Sequence, residues 1–166
     1  YYSHLLGCPS EDGGRGHKRL LTDLKRLPHV HGGKRGEGNA KMMQSILAVG
    51  AGGALGAISR YFVYIMAGYI LGPNFPYGTL IVNIVGSLLM GIIVEVMALT
   101  WEASTEWRLF LTVGFLGAFT TFSTFSLDFA KLYERGRLDL CALYVSASVV
   151  LSVGALFLGM IATRAI

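Results

Sequence analysis

The segment that decides the fold is LFLTVGFLGAFTTFSTFSLDFAKLY, residues 109–133. Its length and apolar character are those of a membrane-spanning helix, because roughly 20 helical residues cross the roughly 30 Å hydrocarbon core of a bilayer. Its centre, residues 114–126, is rich in glycine, serine and threonine. Hydroxyls compete for backbone carbonyls and β-branching restricts rotamers, so this composition favours a break in the helix. The alternative is a continuous helix whose hydroxyls bond back to their own carbonyls.

Three further apolar runs, at about 45–71, 79–101 and 138–163, are each long enough to cross a bilayer. The chain as a whole has a mean hydropathy of +0.55 and only 14% charged residues, which is too apolar for a soluble domain of 166 residues. Unpaired backbone groups are not tolerated in lipid. We therefore predict an all-α integral membrane bundle of four transmembrane helices with a broken third helix.

The first 41 residues differ in composition from the rest. They are rich in glycine and hold all four histidines and most of the basic side chains behind the formal net charge of +4. We predict that residues 1–41 are a disordered basic tail outside the native domain, and that residues 42–166 form the membrane domain, with Met42 as an economical translation start. Charge runs of this kind are usually solvated, so no nucleic-acid partner is expected.

Basic residues in short loops set the orientation of a membrane protein. Arg108 and Arg164 would lie on the same side as the amino terminus, and Lys131, Arg135 and Arg137 on the other. This near balance predicts dual topology, in which copies insert in both orientations. A basic tail that is part of the native protein would instead hold the amino terminus in the cytoplasm.

Small residues recur four positions apart in three of the spans, at Gly52 and Gly56, Ser87 and Gly91, and Ala155 and Gly159. Such pairs allow the backbones of neighbouring helices to approach closely in lipid. We interpret them as helix-packing positions.

Several polar and aromatic side chains within the spans could serve an anion. Phe122 and Phe125 lie on one helical face, where they are either ordinary lipid-facing or core aromatics or rings whose positive edges approach a dehydrated anion. Asn83 could either bond a neighbouring helix or offer its amide N–H groups to a passing anion. Hydroxyls on matching faces complete the set: Thr79 before Asn83, and Tyr144, Ser148 and Ser152 on the fourth span.

Charged residues inside the spans are few. Arg60 is costly at the bilayer centre, by about 2.5–3.5 kcal/mol, so it either reaches the interface or points inward. Glu95 and Asp128 lie near span ends and are expected within reach of water. The sequence contains no nucleophile–base pair, metal-ligand spacing or nucleotide-binding motif, so enzyme activity is not expected. A small multidrug exporter would need a carboxylate in the first span, and residues 45–71 contain none.

Three segments, in this order, resemble the Fluc/CrcB family of fluoride channels: GGALGAISRY (52–61), GTLIVNIVGSLLMG (78–91) and GFLGAFTTFSTFSLDF (114–129). The resemblance covers residues 42–166. It implies a fluoride-selective channel that lowers cytoplasmic fluoride by passive export. It also implies a dual-topology antiparallel homodimer in the inner (plasma) membrane of a bacterium.

The resemblance also implies roles for individual residues. Asn83, Phe122 and Phe125 match the family's pore residues, and Arg60 matches its first-helix arginine. A polar track is implied by the hydroxyls of Thr79, Tyr144, Ser148 and Ser152. A structural sodium ion is implied at the dimer centre, held by the backbone carbonyls of Gly117 and Thr120. The chain departs from the family pattern at Ala118, where many members have a second glycine, and at Asp128, where glutamate is frequent.

Overall fold

The structure is a computed structural model that describes residues 33–99 and 102–165. These residues form helices joined by short turns. We refer to them as the first helix (Gly33–Leu71), the second helix (Tyr77–Leu99), the third span (Thr105–Glu134) and the fourth helix (Leu138–Arg164). Each is long and apolar enough to cross a membrane. The predicted all-α arrangement with four membrane spans is therefore confirmed.

The first helix begins at Gly33, earlier than the sequence indicates. Residues 33–41, assigned above to a disordered tail, are helical; the run AKMMQ at 40–44 consists of strong helix formers, whereas the three glycines within 33–39 give no such signal. Side chains at 37–44 are exposed. The remainder of the predicted tail, 1–32, lies outside the described residues, and the domain boundary at Met42 stays a prediction.

Glycines bring the second and fourth helices into backbone contact. A Cβ atom on Gly91 would overlap the carbonyl oxygen of Leu156, and one on Gly159 would overlap the carbonyl oxygen of Leu88. In lipid, where helix association depends on close packing, such contacts need residues without side chains. Gly91 and Gly159 were both predicted as packing positions, and the structure agrees.

The first helix meets the third span in the same way. A Cβ atom on Gly52 would overlap the carbonyl oxygen of Phe110, and one on Gly56 that of Phe115. From the other side, a Cβ atom on Gly114 would lie 2.8 Å from the carbonyl oxygen of Val49. The two backbones therefore touch along the first half of the third span.

These contacts predict a sharp difference between two otherwise similar substitutions. Gly91→Ala is expected to destabilise the purified protein by about 1–3 kcal/mol, because the added methyl group must displace backbone atoms of the fourth helix. Gly50→Ala is the matched control, since nothing lies within 4 Å of the position its methyl group would take. Thermal unfolding in detergent should show a lower melting temperature for the first variant only. Equal melting temperatures would contradict the packing.

The third span changes conformation along its length. It begins as an α-helix (Thr105–Arg108), widens into a π-helix (Leu109–Leu116) and returns to a short α-helical segment (Gly117–Phe119). The backbone is then extended at Thr120 (φ −82°, ψ 158°) and Thr121 (φ −155°, ψ 121°). An α-helix resumes at Phe122 and continues to Glu134.

Glu95 does not lie within reach of water as the sequence suggests. Its side chain is 7% exposed and pairs with Arg164, whose Nε and Nη2 atoms lie 2.7 and 3.1 Å from its carboxylate oxygens. A charge at this depth is tolerated when a partner neutralises it. The expectation overlooked Arg164 because the two residues are far apart in sequence and meet only when the second and fourth helices pack.

Candidate anion-binding groove

A groove of about 360 Å³ lies between the second helix, the third span and the fourth helix. It brings together five of the residues proposed from sequence as pore residues: Asn83, Phe122, Phe125, Ser148 and Ser152. Thr120 and Thr121, the extended residues of the third span, also line it. None of its lining side chains carries a charge. The groove is therefore uncharged, and its hydroxyl, amide and aromatic groups lie among the apolar side chains of Met90, Val149, Val153 and Leu156.

The side chain of Asn83 holds the extended segment by two hydrogen bonds. Its Oδ1 accepts from the backbone N–H of Thr121 at 2.9 Å, and its Nδ2 donates to the Thr121 carbonyl at 3.1 Å. Because an amide nitrogen carries two hydrogens, one N–H is left for another acceptor. Of the two roles left open by the sequence, the structure shows a bond to a neighbouring span, made to its backbone.

Thr121 also caps the helix that follows. Its hydroxyl oxygen accepts a hydrogen bond from the backbone N–H of Thr124 at 3.2 Å, as the side chain of an N-cap threonine usually does. The hydroxyls of Ser123 and Thr124 lie 3.2 and 3.1 Å from the same oxygen. Thr121 is not among the residues proposed from the sequence, although a threonine three residues before another polar residue resembles a helix-start pattern.

These bonds release two carbonyl groups from the helical pattern. In a continuous helix the Thr121 N–H would donate to the Gly117 carbonyl, and the Thr124 N–H would donate to the Thr120 carbonyl. The Thr121 N–H instead donates to Asn83, and the Thr124 N–H donates to the Thr121 hydroxyl. Gly117 is solvent-exposed in the single chain. The carbonyls of Gly117 and Thr120, which the resemblance implies as cation ligands, are thus among those whose usual helical donors are engaged elsewhere.

The two phenylalanines stand side by side on the groove. The ring centroids of Phe122 and Phe125 are 5.5 Å apart, and Phe125 lies 5.1 Å from the ring of Tyr144. Phe122 is 78% exposed in the single chain, although it is one of its largest apolar side chains. Its exposed ring can therefore reach a neighbouring molecule or an ion in the groove.

Two hydroxyls of the fourth helix are buried without a partner. The Oγ atoms of Ser148 and Ser152 make no hydrogen bond with the described residues, and Ser148 is 5% exposed. Both line the groove. A buried hydroxyl without a partner is costly, which indicates that a ligand or water satisfies it.

Thr79 and Tyr144 do not join this groove but meet around Asp128. The Thr79 hydroxyl donates to Oδ2 of Asp128 at 2.5 Å, and the Tyr144 hydroxyl donates to the same oxygen at 3.4 Å. The hydroxyl of Tyr64 lies 3.4 Å from the Thr79 hydroxyl. The hydroxyls of the proposed track therefore lie in two different surroundings, Ser148 and Ser152 in the groove and Thr79 and Tyr144 around Asp128.

Two residues of this second cluster were not proposed from the sequence as site residues. Asp128, which is half-buried, accepts hydrogen bonds from two spans and lines a further pocket of about 300 Å³, and the expectation that water reaches it stays a prediction. Tyr64 lines the same pocket. A tyrosine in an apolar first helix gives no signal of its own in the sequence, because tyrosine is common in membrane helices.

Arg60 lies on the same face of the first helix as Gly52 and Gly56, the residues that contact the third span. It is partly buried, and it makes no ion pair with the part of the chain that the structure describes. The structure thus places it on the inward face, toward the third span, and leaves its charge without an acidic partner there.

Comparison with known proteins gives a consistent result. Residues 47–160 match the family model described as CrcB-like protein, Camphor Resistance (CrcB). The chain is 53% identical over 118 residues to a fluoride-specific ion channel FluC of Agrobacterium fabrum, covering 71% of this chain and 94% of the relative. It is 54% identical over 121 residues to the FluC of Nitrobacter winogradskyi, covering 73% of this chain and 96% of the relative. The FluC of Rhodospirillum centenum is 50% identical over 122 residues, with 74% and 97% covered.

Proposed function

This chain belongs to the CrcB-like protein family, and on that premise we propose that it is a fluoride channel whose ion path runs through the groove of Asn83, Phe122, Phe125, Ser148 and Ser152. The observation that carries the proposal is the convergence of these neutral donors in one groove. Its family is one of ion channels rather than enzymes. Its four apolar helices and its bacterial relatives make it a multi-pass membrane protein of bacterial type.

The chemistry of the groove suits a small, strongly hydrated anion. Fluoride must lose water to enter a narrow path, and each lost water has to be replaced by a hydrogen-bond donor or a positive ring edge. The free hydroxyls of Ser148 and Ser152, the remaining N–H of Asn83 and the two phenylalanine edges supply such groups. Because the lining carries no fixed positive charge, the ion is not trapped.

The groove is open on one side in a single chain, and a second copy would close it. We assign this role to an antiparallel homodimer, which the 78% exposure of Phe122 supports because a ring of that size gains from burial against a partner. The near balance of basic residues at the two ends supports insertion in both orientations. Two copies related in this way would form two opposite paths.

A structural sodium ion fits the extended segment of the third span. Oxygen ligands suit a hard cation, and released backbone carbonyls within a membrane are tolerated where they line such a site. The carbonyls of Gly117 and Thr120 would hold it, one set from each copy, at the dimer centre. Bound there, the ion would neutralise the carbonyl dipoles and join the two copies.

The channel would act passively in the inner membrane. Proteins of the bacterial outer membrane are closed β-barrels, so a helical bundle of this kind is assigned to the inner membrane. Fluoride that enters a cell as the neutral acid ionises in the cytoplasm and would leave through the channel down its gradient.

A liposome experiment tests this function directly. Purified full-length chain is reconstituted into liposomes loaded with potassium fluoride, valinomycin is added to carry potassium, and released fluoride is measured with an electrode. We expect rapid release from liposomes that contain the protein and none from empty ones. The rival reading, a small multidrug exporter, predicts no fluoride release and uptake of cationic drug driven by a proton gradient instead.

A further inference from the structure

A second cavity, of about 700 Å³, is larger than the groove and shares none of its lining residues. It lies where the second helix begins, the third span ends and the fourth helix begins, with Tyr77, Leu132 and Leu140 among its walls. Two arginines, Arg135 and Arg137, also line it. Nothing in the proposed ion path uses this cavity.

Helix length indicates that one end of the cavity lies near the level of the lipid headgroups. The second helix has 23 residues, which at 1.5 Å per residue span about 35 Å, little more than the roughly 30 Å hydrocarbon core. Its first residue, Tyr77, therefore sits near the membrane surface, where tyrosine is enriched. The end of the cavity that the arginines line faces the headgroups. The end lined by residues further along the helices, deeper in the membrane, faces the acyl chains.

A defined turn fixes the two arginines at this level. Gly136 has a φ of +71°, its N–H donates to the Tyr133 carbonyl at 2.9 Å, and the Arg137 N–H donates to the Leu132 carbonyl at 3.1 Å. This pair of hydrogen bonds around a glycine in the left-handed conformation is the Schellman motif that ends many helices. Arg135 and Arg137 therefore flank a rigid corner.

The positive charge of the two arginines is only partly neutralised by ion pairs among the described residues. Arg137 binds Asp139 through Nε and Nη2, at 3.2 and 3.1 Å, and this leaves its Nη1 free. Arg135 forms no ion pair with any residue that the structure describes. Guanidinium groups bind phosphate oxygens through paired N–H donors, so the free donors suit a phosphate group.

Apart from the two arginines, Asn74 and Tyr77, the cavity is lined by apolar side chains. Leu80, Leu140, Leu143 and Ala147 line it, and Leu143 is 57% exposed in the single chain. A free phosphate ion would gain nothing from these side chains, whereas a lipid would place its acyl chains along them. The cavity therefore combines a cationic rim at the membrane surface with an apolar interior at acyl-chain depth.

We propose that this cavity binds an anionic phospholipid, with the phosphate held by Arg135 and Arg137 and an acyl chain lying along Leu140, Leu143 and Ala147. Basic pockets between membrane helices bind acidic headgroups for the same electrostatic reason. The proposal is independent of the ion that the channel conducts.

Native mass spectrometry of the full-length chain in neutral detergent tests the proposal, with phosphatidylglycerol, phosphatidylcholine or inorganic phosphate added in separate samples. We expect bound phosphatidylglycerol in the wild type and far less phosphatidylcholine. The double variant Arg135→Gln, Arg137→Gln should lose affinity for phosphatidylglycerol on the order of tenfold or more. Lys131→Gln is the matched control, because Lys131 is basic and lies at the same end but lines a different pocket.

A second variant tests the apolar half. Ala147→Trp fills the cavity while leaving both arginines in place, and it should also lose phosphatidylglycerol. Variants are compared only where they elute as the wild type does on size exclusion. Equal binding of the two lipids, displacement of phosphatidylglycerol by millimolar inorganic phosphate, or undiminished binding by either the double variant or Ala147→Trp would overturn the proposal.

Discussion

Fluoride throughput is expected to fall by about tenfold or more when either Phe122 or Phe125 is replaced by isoleucine. Isoleucine keeps apolar bulk in the span, so packing should suffer little. It removes the positive ring edge, which we propose takes the place of water around the ion. Phe122 is the cleaner of the two sites, because it is 78% exposed in the single chain and supports few internal contacts. Fluoride efflux from liposomes measures the effect.

The control for this experiment is chosen by the structure. Phe119 is three residues before Phe122 and would be a simple control by sequence. It is however 6% exposed, and its ring stacks on that of Phe115 with centroids 6.0 Å apart, so its replacement would disturb packing. Phe157 is 56% exposed on the fourth helix and lies outside the groove lining. Phe157→Ile should therefore conduct like the wild type. Wild-type rates in correctly assembled Phe122→Ile and Phe125→Ile proteins would refute the ring-edge mechanism.

A loss of comparable size is expected for Asn83→Leu and Asn83→Asp, for two separable reasons. Leucine has a similar size and no charge, but it leaves the buried Thr121 N–H without a partner, at a cost of about 1–3 kcal/mol, and removes one of the bonds to the Thr121 carbonyl. Aspartate keeps the acceptor, loses the donor and adds a negative charge in the path of an anion. Fluoride efflux should fall in both variants.

The sodium response separates the two roles of Asn83. If its side chain holds the extended segment, Asn83→Leu should also reduce the rise in melting temperature that the proposed sodium ion would give relative to N-methylglucamine, because its proposed ligands, the Gly117 and Thr120 carbonyls, would no longer be positioned. Ser87→Ala, one turn further along the same groove wall, should leave that rise unchanged. A normal sodium response in Asn83→Leu would show that Asn83 acts on the anion alone.

The sequence predicted the membrane spans well because their signal is local. Apolar runs of sufficient length report directly on the bilayer, and glycines at spacing four, such as Gly91 and Gly159, report on close helix contacts. The start of the first helix was missed for the opposite reason. Its first turns, at 33–39, contain polar residues and three glycines, so neither an apolar run nor helix propensity indicates them.

The pairings between spans could not be predicted from the sequence. That Asn83 reaches the backbone of Thr121, and Glu95 reaches Arg164, depends on the rotation of helices about their axes, which small errors in register would change. The same holds for Asp128, whose two hydroxyl donors come from different helices. Residue types indicated which groups needed partners, and only packing determined which partners they have.

Selectivity is the most direct test of the central claim. Fluoride and chloride efflux are measured in parallel from liposomes that hold the same purified wild-type protein and equal concentrations of the two potassium salts. A narrow path of neutral donors without a fixed positive charge predicts fast fluoride release and chloride release no faster than from empty liposomes. Chloride release at a rate comparable to that of fluoride would contradict the account.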